Sequence, residues 1–392
     1  MNKGNRRKTA GLCAFVFAVL VNWNAVCEPL SGLFLADLVD VTAKRLDGAP
    51  PTSLRLTSPA ATTSPLILSW EQSLRSLEAR VGPALHVRSL HGGTVHGTGY
   101  GFKALRTGNA DLATCYASLR QHSMPLSSVW GLPFVAPQRS VVATTIARGL
   151  QSAYFAPEYD QQGVTLAGQY VLPATNLLTR APVRTLGDLR GLRIAGTPSQ
   201  LPMLEALGAD PVTIPFPDYY VALQRGMVDG VLWIDIAFVA YRVTEVAKYR
   251  TVVGLSGGST DLCFARRYEA DMEPGRLQAL KGFVRGMLLH SAVRTDREWE
   301  AGLEAEFEAQ GVQTYRLPDA EKARWRNAAR PVLARWISEA EDQGKPARAL
   351  LARLDALQRI LAGWSDEEIA AEVLRSIRTR TAPVWEDEHE QQ

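Results

Sequence analysis

Few residues in this 392-residue chain have the types and spacing to do chemistry. Gly254-Leu255-Ser256-Gly257-Gly258 has the Gly-x-Ser-x-Gly spacing of a nucleophile elbow, where a serine on a tight strand-to-helix turn attacks an acyl group. That chemistry needs a helix directly after the serine, then an acid and a histidine further on. Ser259, Thr260 and Asp261 continue a helix poorly, and the later histidines are His290, inside an amphipathic run, and His389. A strand-to-strand connection is the better reading of residues 254–258, with a serine hydrolase acting through Ser256 as the weakest alternative. His86, His91, His96 and His122 are a metal-ligating type, yet their spacing matches no compact ligand motif. No acid lies near the first three in sequence, so loop and surface positions are expected and no metal. The Gly-rich stretch 92–101 fits neither the G-x-G-x-x-G nor the Walker pattern. Its backbone N–H groups, at a helix start, could hold an anion. That is binding without catalysis, and no cofactor is expected.

What clusters instead at expected strand ends are aromatic and amide side chains: Tyr100, Tyr116, Tyr170, Asn176, Phe216 and Trp233. Strand ends between two lobes are where α/β proteins bind ligands. The elements that would position them follow from apolar periodicity. Strands are expected at 53–57, 85–90, 110–116, 164–172, 192–195, 212–214 and 229–234. Helices are expected at 65–80, 100–106, 202–207 and 217–225, and long charged amphipathic runs fill 266–377. The order gives two α/β lobes followed by a helical C-terminal section.

Composition narrows the class. With 46% hydrophobic and 21% charged residues, disorder and an all-membrane chain are excluded. The net charge of +3 includes Lys3, Arg6, Arg7 and Lys8, which precede an apolar run at 11–21 and the small-residue stretch Ala25-Val26-Cys27. This is the order of a secretory signal peptide, expected over 1–27. Without it 39 basic residues face 40 acidic ones, so no basic field argues for nucleic acid. The exported remainder keeps Cys115 and Cys263, which could pair or stay as two buried thiols.

From about residue 54 to 344 the chain resembles the DctP-type solute receptor of tripartite ATP-independent periplasmic (TRAP) transporters. The resemblance rests on motifs in co-linear order: His91-Gly-Gly-Thr-Val-His-Gly, Ala104-Leu-Arg-Thr-Gly-Asn-Ala-Asp111, Met124-Pro-Leu and Leu132-Pro-Phe. Thr179-Arg-Ala-Pro-Val183, Asp188-Leu-Arg-Gly-Leu-Arg-Ile194, Leu207-Gly-Ala-Asp-Pro-Val212 and Tyr220-Val-Ala-Leu-Gln-Arg-Gly-Met-Val-Asp-Gly230 complete it. It implies a non-enzymatic, periplasmic α/β receptor of two lobes with mixed sheets that closes over a small solute, typically an organic acid. Such a receptor hands its solute to membrane permease subunits, and a long helix crosses both lobes, with 265–297 the expected segment. A ligand-presenting partner of a sensor is the second reading.

The expected division is signal 1–27, a loosely held leader 28–53, a first lobe of 54–171 and 260–297, a second lobe of 172–259 and 298–362, and an extension 363–392. The chain departs from the family where an Arg usually meets the ligand carboxylate: Arg193-Ile194 is followed by Ala195. Whether Arg193 or Arg180 replaces it stays open. Trp233 stands where many members carry Asn. Ala195 and Trp233 together imply a ligand larger or more apolar than a simple carboxylate. Asn176, Tyr116 and Thr98 are expected to hydrogen-bond it, Phe216 and Trp233 to stack on it, and Asp235 to contribute.

Overall fold

The computed structural model describes residues 28–387. The signal expected over 1–27 and the end of the acidic tail lie outside the described residues. The strands are β1 (Thr52–Thr57), β2 (Leu85–Leu90), β3 (Leu112–Cys115), β4 (Val164–Val171), β5 (Asn176–Thr179), β6 (Arg193–Gly196), β7 (Asp210–Thr213), β8 (Gly230–Trp233), β9 (Tyr249–Val252), β10 (Ser259–Ala265) and β11 (Gln313–Arg316). Helices of ten or more residues are α1 (Glu28–Leu46), α2 (Pro65–Val81), α3 (Ser140–Leu150), α4 (Pro274–Arg294), α5 (Asp319–Asp342), α6 (Ala347–Leu361) and α7 (Asp366–Thr379).

Two mixed sheets carry the fold, in orders β2-β1-β3-β10-β4 and β11-β9-β5-β8-β6-β7. Parallel pairs β1 with β3 and β6 with β8 need crossover helices, which the alternating strand–helix pattern supplies. Strand β10 runs antiparallel between β3 and β4 and is buried along its whole length, as expected of a strand covered on both faces. Helix α2 starts where the sequence places it because the Ser64 hydroxyl caps the Ile67 N–H and Pro65 needs no hydrogen-bond partner.

The two sheets are joined by the chain between β4 and β5, by the chain between β9 and β10, and by a π-helical turn, Thr295–Trp299, that continues α4. At the first two crossings the strands stay paired: Leu172 N–H donates to Gly258 O (2.9 Å) and Leu255 N–H to Thr175 O (2.9 Å).

The helix that spans both lobes is α5, not residues 265–297. Its Trp325 and Ala329 sit in the second-lobe core, while Trp336 and Ala340 sit in the first, with Pro331 between. Helix α4 is buried from Ala279 to Val293 within the first core, so only its π-helical continuation leaves that lobe. Because α5 crosses back, α6 and α7 pack on the first lobe rather than the second, through Leu350, Leu354, Leu357, Ile369 and Val373.

Residues 28–46 are likewise not a loose leader. They form α1, packed along α4 with Phe34, Leu38 and Leu46 buried. The close approach depends on a missing side chain: a Cβ at Gly286 would collide with Leu38, and one at Gly282 would touch Ile377 of α7 at 3.4 Å. Replacing Leu38 by Ala should therefore cost about 2–5 kcal/mol, the range for emptying a buried leucine site. Thermal unfolding checks it; a loose leader would leave the transition unmoved.

Candidate functional site

The C-terminal ends of β6, β7 and β8 lie at one edge of the second sheet, and Asn176, the first residue of β5, pairs with Trp233 there. The corresponding edge of the first sheet ends in Cys115 and Tyr116. Both inter-sheet strands leave from these edges, so the edges face each other across a cleft; the turn Ala117–Leu119 packs against Pro198–Gln200 from the other lobe.

Side chains alternate along strands, so Asn176, Leu178, Ala195, Val231, Trp233 and Arg250 share one face of the second sheet. On that face Trp233 is the centre of a ring cluster. Its centroid lies 5.5 Å from Phe216, 5.2 Å from Tyr219 and 4.8 Å from Tyr241, all tilted or edge-on. Phe216 meets Tyr241 edge-on at 5.8 Å. Phe216, Trp233 and Tyr241 are half-buried, whereas Tyr219 is closed in. Tyr116 of the first lobe stands near enough to Tyr241 that a charge on one would be felt by the other; burial first, then the Asp261 carboxylate, pushes the Tyr116 phenol up. Thr98 is half-buried in the turn Thr98–Tyr100 of the first lobe, beside exposed Tyr100.

Beneath the rings runs a polar tie. Asn176 Oδ1 accepts from Val253 and Gly254 N–H (2.9 and 3.0 Å), and its Nδ2 donates to Asp235 Oδ2 (2.9 Å). Asp235 in turn takes both Nε and Nη2 of Arg250, and Arg250 Nη1 reaches Glu304 Oε1 at 2.7 Å. The guanidinium lies 4.5 Å from the Phe307 ring centre. Asn176 and Asp235 are thus occupied inside the lobe, and Ala195 is fully buried in its core.

Neither Arg193 nor Arg180 reaches the cleft edge. Arg193 begins β6 opposite Asp210 and forms a two-point pair with Asp229 (2.8 and 3.0 Å), while Arg180 N–H bonds Asp229 O at that same far edge. The structure therefore supplies no substitute for an Arg at position 195 from these two residues.

The Ser256 hydroxyl bonds to no base. Ser256 lies in the second inter-sheet strand, buried, with its hydroxyl bonded to Thr175 Oγ1 (3.0 Å) and Gln200 Nε2 (3.2 Å). His290 is in α4 beside Ser73, where burial holds it near 3. The histidines are not surface residues throughout: His91 and His96 are buried, and helix α2 brings Glu71 to His91 (3.0 Å) and Glu78 to His86 (2.7 Å). Among the described residues no group of three or more acidic, His or Cys side chains could hold a metal. Cys115 and Cys263 are unbridged, and burial followed by the neighbouring Cys115 thiol pushes Cys263 well up.

Sequence reasoning missed Tyr219, Tyr241, Arg250, Glu300 and Glu304. The first two carried a signal, aromatic residues following two of the named strand ends. Glu300 carried none. Burial, followed by the charges of Asp235 and Asp296, raises its pKa to about 8, and its Oε1 has no hydrogen-bond partner among the described residues. An acid with a raised folded-state pKa binds its proton more tightly folded than unfolded. Stability should accordingly fall as pH rises from about 4.5 toward about 8, and Glu300→Gln should flatten that slope in urea unfolding across the range.

Two α/β lobes with sheet edges turned toward each other, one of them carrying the ring cluster, have the architecture of a two-lobed solute-binding protein. Residues 59–339 match the family described as bacterial extracellular solute-binding protein, family 7 (DctP), and the chain belongs to that family. It is 23% identical over 193 residues to the ectoine/5-hydroxyectoine-binding periplasmic protein UehA of Ruegeria pomeroyi, covering 48% of this chain. The chain spans just over half the length of the curated relatives it matches, 57% for UehA. In fold it is similar to a TRAP periplasmic solute binding protein of Desulfovibrio salexigens (TM-score 0.72, 21% identity, 80% of this chain and 97% of that one). It is also similar to a TRAP solute binding protein of Rhodoferax ferrireducens in complex with copurified benzoate (TM-score 0.70, 18% identity, 79% and 98%). Among the described residues no helix is long and apolar enough to cross a membrane.

Proposed function

We propose that this protein is the periplasmic, non-enzymatic receptor of a TRAP-type uptake system, and that its solute is a small organic acid carrying a flat apolar or aromatic part. The lobes close over the solute, and the closed form delivers it to the membrane permease subunits. Closure requires contacts that exist only when the lobes are together. Tyr116 on one lobe and the Phe216–Trp233–Tyr241 rings on the other are placed to make them.

The observation that carries this reading is the ring cluster on the cleft edge, beside a buried Ala195. A flat group laid on Trp233 gains apolar burial and stacking that a hydrated sugar acid cannot match. The benzoate of the Rhodoferax protein belongs to this chemical class. Native mass spectrometry of the purified protein, before and after mild denaturation, tests the reading. Release of an aromatic or apolar acid, or calorimetric binding of benzoate as a probe, is the expected result. Release of a polyhydroxylated sugar acid, with no benzoate binding, overturns it.

A further inference from the structure

Helix α7 lies outside the residues that match the family, yet its first turn is wired into the joint between the lobes. Ser365 caps it, with Glu368 completing the reciprocal capping box. Asp366 binds two guanidiniums at once: Arg139, at the start of α3, and Arg297, in the π-helical turn that leads to the second lobe (Nε to Oδ2, 2.9 Å). Glu367 adds a second contact to Arg297 at 2.6 Å, and Arg139 Nη1 donates to Trp364 O at 3.1 Å. The start of α3 is itself a junction. Asp296 of the same turn accepts from Ser140 and Val141 N–H (both 2.9 Å), and the Ser140 hydroxyl bonds Val171 O where β4 leaves for the second lobe.

The far end of α7 is anchored as well. Arg45 of α1 donates to Ile377 O (2.9 Å) and Arg378 O (2.8 Å), and Arg148 of α3 reaches the Ser376 hydroxyl. A helix tied at one end to α1 and α3 and at the other to the crossing turn is a strut. We propose that residues 362–385 form a latch on the hinge: Asp366 and Glu367 hold the turn Thr295–Trp299 against the first lobe and limit how far the lobes separate. The latch rests on the two-lobed reading, but not on any ligand. With it engaged, hinge motion at this crossing is confined to the chain beyond Trp299. Once it is released, the π-helical turn becomes part of the hinge.

Asp366 is nearly closed off from solvent, whereas its partners Arg139 and Arg297 keep about 40% of their side chains exposed, and Glu367 is more exposed still. Hydrogen exchange on the whole ligand-free protein, read by mass spectrometry, tests the latch in the Asp366→Asn variant. Amides of 295–302 and of Ser140 and Val141 should exchange about tenfold faster, while the interior of α4 stays protected. Small-angle scattering should show a larger radius of gyration. A helix α7 that merely covers the first lobe predicts faster exchange confined to 364–379 and an unchanged radius, and that result overturns the proposal. Should Asp366→Asn not fold, Glu367→Gln and Arg297→Gln are read the same way, and unchanged exchange at 295–302 in both sinks it. Failure to bind benzoate would count against the proposed ligand and leave the latch untouched.

Discussion

Replacing Trp233 by alanine should abolish solute capture while leaving a folded protein. Within the cluster the indole touches the other three rings, so its removal empties the middle of the cluster and not its rim. Central aromatic anchors typically carry about 2 kcal/mol or more of a binding free energy, so affinity should drop about thirtyfold or more. Stability should suffer less, because the side chain is only half-buried and part of its surface is already wet. Trp233→Phe keeps a flat apolar face at the same strand position and should recover most of the binding. Calorimetric titration with the released solute, or with benzoate, reads both variants. Equal affinity for Trp233→Ala and the unmodified protein would show that the rings are core filling and that the solute is held elsewhere.

Several strands that carry the candidate site are legible in the sequence, and the reason is local. Strand 85–90 alternates cleanly, and the Val-Asp-Gly turn before β8 fixes where Trp233 emerges; strand boundaries there agree within a residue or two. Period-two alternation then assigns Ala195 and Trp233 to one face. What failed was long-range. Helix α4 spreads its apolar residues round the whole helix, with Arg276, Lys281, Arg285 and Arg294 among them, because other helices and a strand cover it; with no single apolar stripe, its sequence does not say which lobe it packs in. Helix α5 contains Pro331, which read locally marks a break, yet the helix runs through it from one core to the other. Arg250 was invisible as a site residue because its partner Asp235 is brought to it only by the β5–β9 and β5–β8 registers. The capping signature Ser365-Asp366-Glu367-Glu368 announces the start of α7, but nothing in it announces Arg139 or Arg297.

The Arg250–Asp235 pair leads to a large expected loss of stability. Both side chains are about 95% closed off from water, and the carboxylate also holds the Asn176 amide that anchors the start of β5. Asp235→Ala leaves a guanidinium buried with the half-exposed Glu304 as its remaining ion-pair partner. Breaking a buried pair from one side costs about 3–5 kcal/mol, and the surviving Glu304 contact places this variant near the lower end. That cost measures the stranded charge and not the net worth of the pair, since desolvating both ions offsets much of their attraction. The two quantities separate in the double replacement Asp235→Leu with Arg250→Met, which removes both charges and should regain most of the loss in urea unfolding. If the double variant were as unstable as Asp235→Ala alone, the cost would lie in the Asn176 contact, which both variants lose. The wiring beneath the rings would then serve to orient β5 at the cleft edge and not to neutralise Arg250.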